Sequence, residues 1–220
     1  MTSQRQQKTT REQVVGAALR VADEVGVEGL TIRAVAAAAG TAPMSLYTHF
    51  AKKEQLLDLM YAQLSQELYP GLEHTTWQSA LSTFCHNIHR LLLAHPHWTP
   101  LVSRAAPVVA LPQREHLLSL MTRTGITAER SMSILSSAGL LSLGFSMVEQ
   151  SFRDCDGVSR LAKRFDKLRE YGDGATFAQQ NPVTHQALLA HSSSLDLSEK
   201  FRIIVDAFIA GLGLPTPEAD

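Results

Sequence analysis

The sequence predicts an all-α protein that consists of a small N-terminal helical domain and a larger helical domain. Apolar residues recur at spacings of three and four along most of the chain, which is the period of amphipathic helices. No alternating pattern that would indicate strands and no internal repeat stands out. The 220 residues are enough for one small and one larger domain.

The first two helices follow from their apolar stripes and their end signals. A first helix is predicted from about residue 10 to 25 by Val15, Ala18, Leu19, Ala22 and Val25. Thr31 has the side chain of a helix N-cap, and Leu30 and Val35 have the spacing of a hydrophobic staple. A short second helix therefore begins after Thr31. Gly40 is suited to end it, because glycine adopts the left-handed conformation at low cost.

The third helix is shorter still. Thr41 is suited to cap it, and Pro43 is tolerated in its first turn because the missing N–H costs little there. Leu46 and Phe50 lie four residues apart and should face the core. The residues left outside are small, polar or aromatic: Ala42, Pro43, Met44, Ser45, Tyr47, Thr48 and His49. Two short helices joined by a tight turn predict a helix-turn-helix, and DNA is the expected partner.

The rest of the chain predicts a larger helical domain, with the boundary between residues 53 and 54 and a polar tail over residues 1–9. The main predicted helices run from near Lys52 to Tyr69, from Trp77 to His95, from Thr127 to about Phe152, and over residues 198–212. Thr127 is the expected cap of the long helix, and residues 154–195 are expected to form loops around short helices.

The last two of these helices carry stripes that are very apolar for one monomer. In the long helix, Gly139, Gly144 and several serines lie between the large apolar residues and would let another helix approach closely. The residues alone leave two interpretations open with equal weight. The stripes form ordinary core within one chain, or they pair with a second copy.

The region around the predicted turn resembles the DNA-binding domain of the tetracycline-repressor (TetR) family of transcriptional regulators. The resemblance rests on Gly26 to Ala36, Gly40, Leu46-Tyr47-Thr48-His49-Phe50, Lys53 and Leu56-Leu57. It implies a DNA-binding domain followed by a ligand-binding and dimerisation domain. The implied function is a repressor that binds a palindromic operator as a homodimer and is released by a small-molecule inducer. An activator is the alternative, since promoter position decides that sign.

The resemblance also implies roles for matched positions. Thr31 and Arg33 would reach a phosphate or a base edge, and residues 42–45 would form the recognition tip. Residues 47–49 and Lys53 would contact phosphates and set the register. The tip is unusually apolar, so hydrophobic and shape readout are expected there. The full predicted DNA-binding set is Thr31, Arg33, Thr41, Ala42, Pro43, Met44, Ser45, Tyr47, Thr48, His49 and Lys53. For Tyr47, packing on the first helix is the alternative.

The family couples a small molecule to release of DNA, so the larger domain is expected to hold a ligand cavity. The predicted lining is apolar with a few polar groups, as small-molecule sites usually are: Tyr69, Phe84, Ile88, Val102, Arg104, Met121, Phe145, Met147 and Glu149. For each of them a place in the plain core is the alternative. Where tetracycline-binding members hold a metal with His and Glu, this chain has Val102 and Val148. The resemblance therefore implies a different, more apolar inducer.

Charge and composition agree with this picture. Residues 1–53 contain seven basic and four acidic residues, a net charge of +3, and residues 54–220 contain thirteen basic and seventeen acidic residues, a net charge of −4. The positive part coincides with the predicted helix-turn-helix, as attraction to phosphates requires. The hydrophobic content of 45% with 19% charged residues excludes a disordered chain. We expect a bacterial cytosolic, nucleoid-associated protein without a signal peptide, a transmembrane span or a membrane partner.

The cysteines and histidines could form a regulatory disulfide or a metal site, or they could have only structural roles. Cys85 and Cys155 lack metal-type spacing and are expected to stay reduced, with a regulatory disulfide as the alternative. The nine histidines include His86 and His89 on one predicted helical face near Cys85, but a zinc site needs three or four converging ligands. We therefore predict no metal and no cofactor, and surface or capping roles for these side chains.

Two other functional classes compete with a DNA-binding regulator. An enzyme is disfavoured because the sequence has no glycine-rich phosphate loop, no G-x-S-x-G elbow and no HExxH motif. An all-helical interaction module with a residual helix-turn-helix is the second alternative. Gly40, Tyr47 and Lys53 argue against it, because a decayed DNA-binding domain would not need to keep them.

Overall fold

The computed structural model describes residues 9–69, 76–104, 108–154, 179–184, 186 and 196–214. Its helices are α1 (Arg11–Gly29), α2 (Ile32–Ala38), α3 (Pro43–Leu46), α4 (Lys53–Leu68), α5 (Trp77–Ala94), α6 (Thr99–Val102), α7 (Glu115–Arg123), α8 (Ala128–Asp154) and α9 (Leu197–Gly211). Short 3₁₀ turns are formed by Pro96–Trp98, Val108–Ala110 and Pro112–Arg114. No strand occurs in these ranges, and the prediction of an all-α fold is confirmed. Cys155 and most of the segment predicted as loops lie outside the described residues.

Helix α1 begins with a capping box, a feature that the sequence did not lead us to expect. The Thr10 hydroxyl accepts from the Gln13 N–H at 3.2 Å, and the Gln13 side chain accepts from the Thr10 N–H at 2.9 Å. The helical geometry breaks at Gly26, where φ is +77°, close to the predicted end at residue 25. Val25, the last residue of the apolar pattern that predicted this helix, is 55% exposed. Val25 lies at the edge of the buried stripe, next to the break.

The turn between α2 and α3 is a Schellman motif centred on Gly40. The Gly40 N–H donates to the Ala37 carbonyl at 3.1 Å, the Thr41 N–H donates to the Ala36 carbonyl at 3.0 Å, and the φ of Gly40 is +66°. Thr41 therefore completes the end of α2 and does not cap α3. The residue before α3 is Ala42, which makes no side-chain cap bond, so the predicted capping role of Thr41 is wrong.

The larger domain is built around α5. Helix α5 packs on α8 along its length and also contacts α4, α7 and α9. The largest fully buried side chains of this core include Trp77, Leu81, Met121 and Phe201. Thr127 accepts from the Arg130 N–H at 3.3 Å, so the predicted cap of the long helix is confirmed.

Helix α8 departs from one expectation. Residues 131–148 carry no charged side chain, and α8 is long and apolar enough by length and composition to cross a membrane, although no span was expected. The core helix of a soluble protein passes the same test. Here α8 packs against α5 and α7, with the serines at 131, 142 and 146 buried and bonded within the helix.

The apolar residues of α8 and α9 fall into a buried set and an exposed set. Ile134, Leu135 and Ala138 are buried within the chain, whereas Leu140 is 70% and Val148 is 52% exposed. Helix α9 behaves in the same way, with Phe201 and Val205 buried and Ile203 and Ile204 exposed. One side of each stripe is therefore core within the chain, and the other side is left uncovered in the single chain. Pairing of the uncovered side with a second copy stays a prediction.

Candidate DNA interface and ligand cavity

The recognition helix α3 is held by two buried anchors. Leu46 and Phe50 are buried as predicted, because they lie four residues apart and both belong to the hydrophobic core. Their burial leaves residues 42–45 exposed at the tip, and Met44 is 76% exposed. Tyr47 is also exposed, with its ring 6.1 Å from that of Phe50. An apolar tip on a rigidly anchored turn is suited to contact with groove atoms such as a thymine methyl group.

Thr31 and Thr48, two of the hydroxyl side chains predicted to reach DNA, differ in what they can still donate. The Thr31 oxygen accepts from the Ala34 N–H at 3.2 Å, which leaves its own O–H available to donate to a phosphate. The Thr48 hydroxyl donates to the Ser45 carbonyl at 2.7 Å. Phosphate oxygens only accept, so Thr48 offers no donor in this arrangement. The structure thus supports the phosphate role of Thr31 better than that of Thr48.

Basic side chains surround the two short helices. Arg33 is exposed in the first turn of α2, and Lys52 and Lys53 lie exposed and half-buried at the start of α4. Arg20 of α1, which sequence reasoning did not single out, donates to the Ala38 carbonyl at 3.3 Å. It thereby places a positive charge at the C-terminus of α2, where the helix dipole favours it.

Two polar contacts link the short elements that follow α5 to helices α1 and α4. His95 Nδ1 lies 2.8 Å from Asp23 Oδ1 of α1, and the His95 ring stacks on Trp98 at 3.7 Å between centroids. Arg104 donates to Asp58 Oδ1 of α4 at 3.4 Å. Both contacts originate from the short elements that follow α5. A movement of these elements would therefore reach α1 and α4 directly.

A cavity of about 380 Å³ opens between the C-terminal half of α4, the middle of α5, the first half of α8, residues 102–104 and Arg114. Its inner wall is aromatic, since Tyr69 stacks on Phe84 with ring centroids 4.9 Å apart. Tyr61 and apolar residues of α5 and α8 complete the wall, among them Ile88, Leu135 and Leu143. The volume lies at the lower end of the range usual for small-molecule sites, about 300–1,000 Å³.

Two arginines bring positive charge to this wall. Arg104 follows α6 and Arg114 precedes α7, and the Arg114 guanidinium lies 5.8 Å from the centroid of the Tyr69 ring. The Nε atoms of both arginines are buried and have no hydrogen-bond partner within the described part of the chain. Burial raises the pKa of Tyr69 to about 12, although the neighbouring Arg114 opposes that rise. Tyr69 therefore stays a neutral phenol at physiological pH.

The cavity wall contains five of the nine predicted ligand-binding residues, namely Tyr69, Phe84, Ile88, Val102 and Arg104. The other four lie elsewhere. Met121 is fully buried in the core, and Met147 is exposed on α8. Phe145 packs on Phe201 at 5.0 Å, and Glu149 is only 2% exposed and pairs with other side chains. Met121 lies on α7, which contributes no residue to the wall, and the other three lie on α8 beyond Leu143, the last α8 residue of the wall.

Sequence reasoning missed Arg114, Tyr61 and the wall residues from α8. Tyr61 lies within the apolar stripe of α4, where a buried tyrosine gives no sign of facing a cavity. Arg114 lies in an irregular proline-containing stretch, so no periodic pattern points to it. Val102 lies in the wall and Val148 lies outside it. Because valine has no metal-binding atom, these two positions provide no metal ligand.

The histidine cluster of α5 is occupied by protein contacts. His89 Nε2 lies 2.7 Å from Glu149 Oε2, and the other carboxylate oxygen of Glu149 accepts from Arg153 at 2.8 Å. His86 Nδ1 lies 2.8 Å from the Ser82 carbonyl. Cys85 is buried, which raises the pKa of its thiol. The described residues contain no group of three His, Cys, Asp or Glu side chains that could hold a metal.

Both parts of the chain match known protein families. Residues 14–60 match the family model described as "Bacterial regulatory proteins, tetR family", and residues 69–214 match "Tetracyclin repressor-like, C-terminal domain". The HTH-type transcriptional repressor DrrR1 of Streptomyces coeruleorubidus is 35% identical over 131 residues, which are 57% of this chain and 48% of that relative. The chain thus spans about half the length of this relative. The class A tetracycline repressor from transposon 1721 of Escherichia coli is 28% identical over 76% of this chain and 84% of its own length.

Solved structures share the fold. Apo ActR from Streptomyces coelicolor superposes with a TM-score of 0.72 at 22% identity, covering 94% of this chain and 95% of that chain. A TetR variant from Acinetobacter baumannii AYE in complex with minocycline gives a TM-score of 0.64 at 19% identity, covering 93% and 96%. Because the two family models together span most of the sequence, the chain belongs to the TetR family of bacterial regulatory proteins, which are DNA-binding transcriptional regulators.

Proposed function

We propose that the protein is a cytosolic homodimeric repressor that binds a palindromic operator through α3 and is released by a small molecule in the cavity. One observation carries this proposal. Residues 42–45 are exposed at the start of α3, and α4 is the next helix along the chain. The C-terminal half of α4 forms a wall of the cavity. A ligand and an operator would thus bind to opposite ends of one rigid helix.

The exposed faces of α8 and α9 support the dimer. In α8, Met132, Leu140, Met147 and Val148 are exposed in the single chain. Pairing with a second copy would remove this apolar surface from water. A dimer also meets a functional need, because one four-residue recognition helix contacts too few base pairs for genomic specificity. Twofold symmetry then requires a palindromic operator.

The relatives support a small-molecule inducer. Solved structures with the same fold contain minocycline in the Acinetobacter baumannii protein and actinorhodin in ActR. In this chain the corresponding candidate site is the cavity beside Tyr69 and Phe84, and Val102 and Val148 supply no metal-binding pair to it. We propose an inducer that binds without a metal.

Selection from a pool of random duplex DNA with the purified full chain tests the proposal. We expect an enriched palindrome whose affinity falls steeply as the salt concentration rises. Met44→Ala should change the preferred bases, whereas Tyr47→Phe should weaken binding to all sequences about equally. Recovery of no motif by a correctly folded dimer would contradict the proposal and favour an interaction module instead.

A further inference from the structure

We propose that the cavity binds an anionic aromatic molecule, with its ring system on the Tyr69–Phe84 pair and its acid group between Arg104 and Arg114. The inference rests on the proposed function of the cavity as the inducer site. It replaces the expectation of a more apolar inducer, because Arg104 and Arg114 both line the cavity wall. The sequence alone does not indicate that these two arginines share one wall.

The charge of the wall favours an anion. Arginine stays protonated in proteins, so Arg104 and Arg114 bring two positive charges to a partly buried surface. No acidic side chain is among the described residues that line the cavity. The only carboxylate paired with either arginine in the described ranges is that of Asp58, at 3.4 Å from Arg104 and outside the wall. A carboxylate or similar group on the ligand would accept hydrogen bonds from the guanidinium groups of Arg104 and Arg114 that line the cavity.

The shape and surface of the remaining wall select the rest of the ligand. The stacked pair of Tyr69 and Phe84 contributes aromatic surface to the wall, and Ile88 and Leu135 contribute aliphatic surface. Aromatic rings favour stacked or tilted contact with aromatic surface. A volume of about 380 Å³ suits a molecule of a few fused rings.

Arg104 also connects the ligand to α4. Its guanidinium is shared between the cavity wall and Asp58, and a ligand acid at Arg104 would compete with that carboxylate. Competition loosens the contact between α4 and the segment after α6. Helix α4 starts at Lys53, shortly after the recognition helix α3. A shift of α4 caused by the bound acid group would therefore also move α3.

A matched pair of probes tests the proposal: anthracene-2-carboxylate and its neutral amide, anthracene-2-carboxamide. Fluorescence anisotropy of the anthracene ring gives the Kd of each for the full chain. We expect the wild type to bind the carboxylate about ten-fold more tightly than the amide. Arg114→Gln and Arg104→Gln should each abolish most of that preference and leave the amide affinity unchanged. Arg123→Gln, on the exposed end of α7, is the control and should change neither value.

The arms of the experiment separate the possible failures. Equal Kd values for acid and amide, or binding of neither probe, would overturn the proposal. Circular dichroism checks that each variant folds, and Arg114→Lys, which keeps the charge, should retain part of the preference. Asp58→Asn should tighten carboxylate binding by a few fold, and no change there would contradict the competition at Arg104. A chain that selects an operator but does not prefer the acid would refute this inference alone and leave the proposed function standing.

Discussion

Replacement of Arg33 by alanine tests how the helix-turn-helix holds DNA. Arg33 is exposed in the first turn of α2, beside the N-cap Thr31, whose O–H is available to a phosphate. Removal of an exposed side chain away from the core changes the free energy of unfolding by no more than about 0.5 kcal/mol. The variant should therefore stay folded, and its effect on DNA should be purely electrostatic.

The magnitude follows from counterion release. Each phosphate contact contributes about 0.9 to the slope of log K against log salt concentration, and a dimer loses two contacts. The slope should become shallower by about 1.8, so the affinity ratio of wild type to variant should fall about twelve-fold between about 50 and 200 mM salt. The loss should be the same for operator and random DNA, because phosphate contacts carry no sequence information.

Fluorescence anisotropy with a labelled operator measures this slope. Arg123→Ala is the matched control, because it removes the same charge from an exposed position on α7, outside the helix-turn-helix. An unchanged slope for Arg33→Ala, or an equal change for Arg123→Ala, would refute the assignment of Arg33 to a phosphate.

Three further predictions concern the fold and the assembly. Gly40→Ala should lower the free energy of unfolding by about 1 kcal/mol, because φ at that position is +66°. Gly16→Ala should raise the free energy of unfolding by about 0.5–1 kcal/mol, because Gly16 lies inside α1 and the new Cβ makes only ordinary van der Waals contact. Chemical denaturation compares the two variants, and a change of the same sign in both would contradict this reasoning. Burial and the raised pKa of the Cys85 thiol keep it neutral at about pH 8, so in a Cys155→Ser background it should react with Ellman's reagent only after denaturation. Val148→Asp should produce monomers in sedimentation and abolish operator binding, whereas Val108→Asp, also exposed but on a 3₁₀ turn, should leave the dimer intact.

The helix-turn-helix could be predicted well from the sequence because its determinants are local. The cap at Thr31, the left-handed Gly40 and the anchors Leu46 and Phe50 each act within a few residues, and the structure has all of them. The local error at Thr41 is one of position: α3 begins at Pro43, so Ala42 occupies its N-cap position, and the Thr41 N–H closes α2. The sequence does not fix the start of so short a helix to one residue.

The ligand site could be predicted only in part because its determinants are not local. Arg104 and Arg114 meet through the packing of α6 and α7 on their neighbours, and periodicity within one helix says nothing about such a meeting. A polar residue in an apolar helix, such as Glu149, suggests a ligand contact. Glu149 is instead satisfied by His89, 60 residues earlier in the chain, at 2.7 Å. Partners at that separation cannot be paired from one sequence.

The central claim is that ligand and operator bind to one coupled unit, and linkage tests it directly. Once an aromatic acid that binds the cavity is in hand, its Kd should be measured with and without saturating operator, and the operator Kd with and without saturating acid. We predict that each ligand weakens the binding of the other by the same factor, about 5- to 150-fold. An acid that saturates the cavity and leaves operator affinity unchanged would contradict the claim.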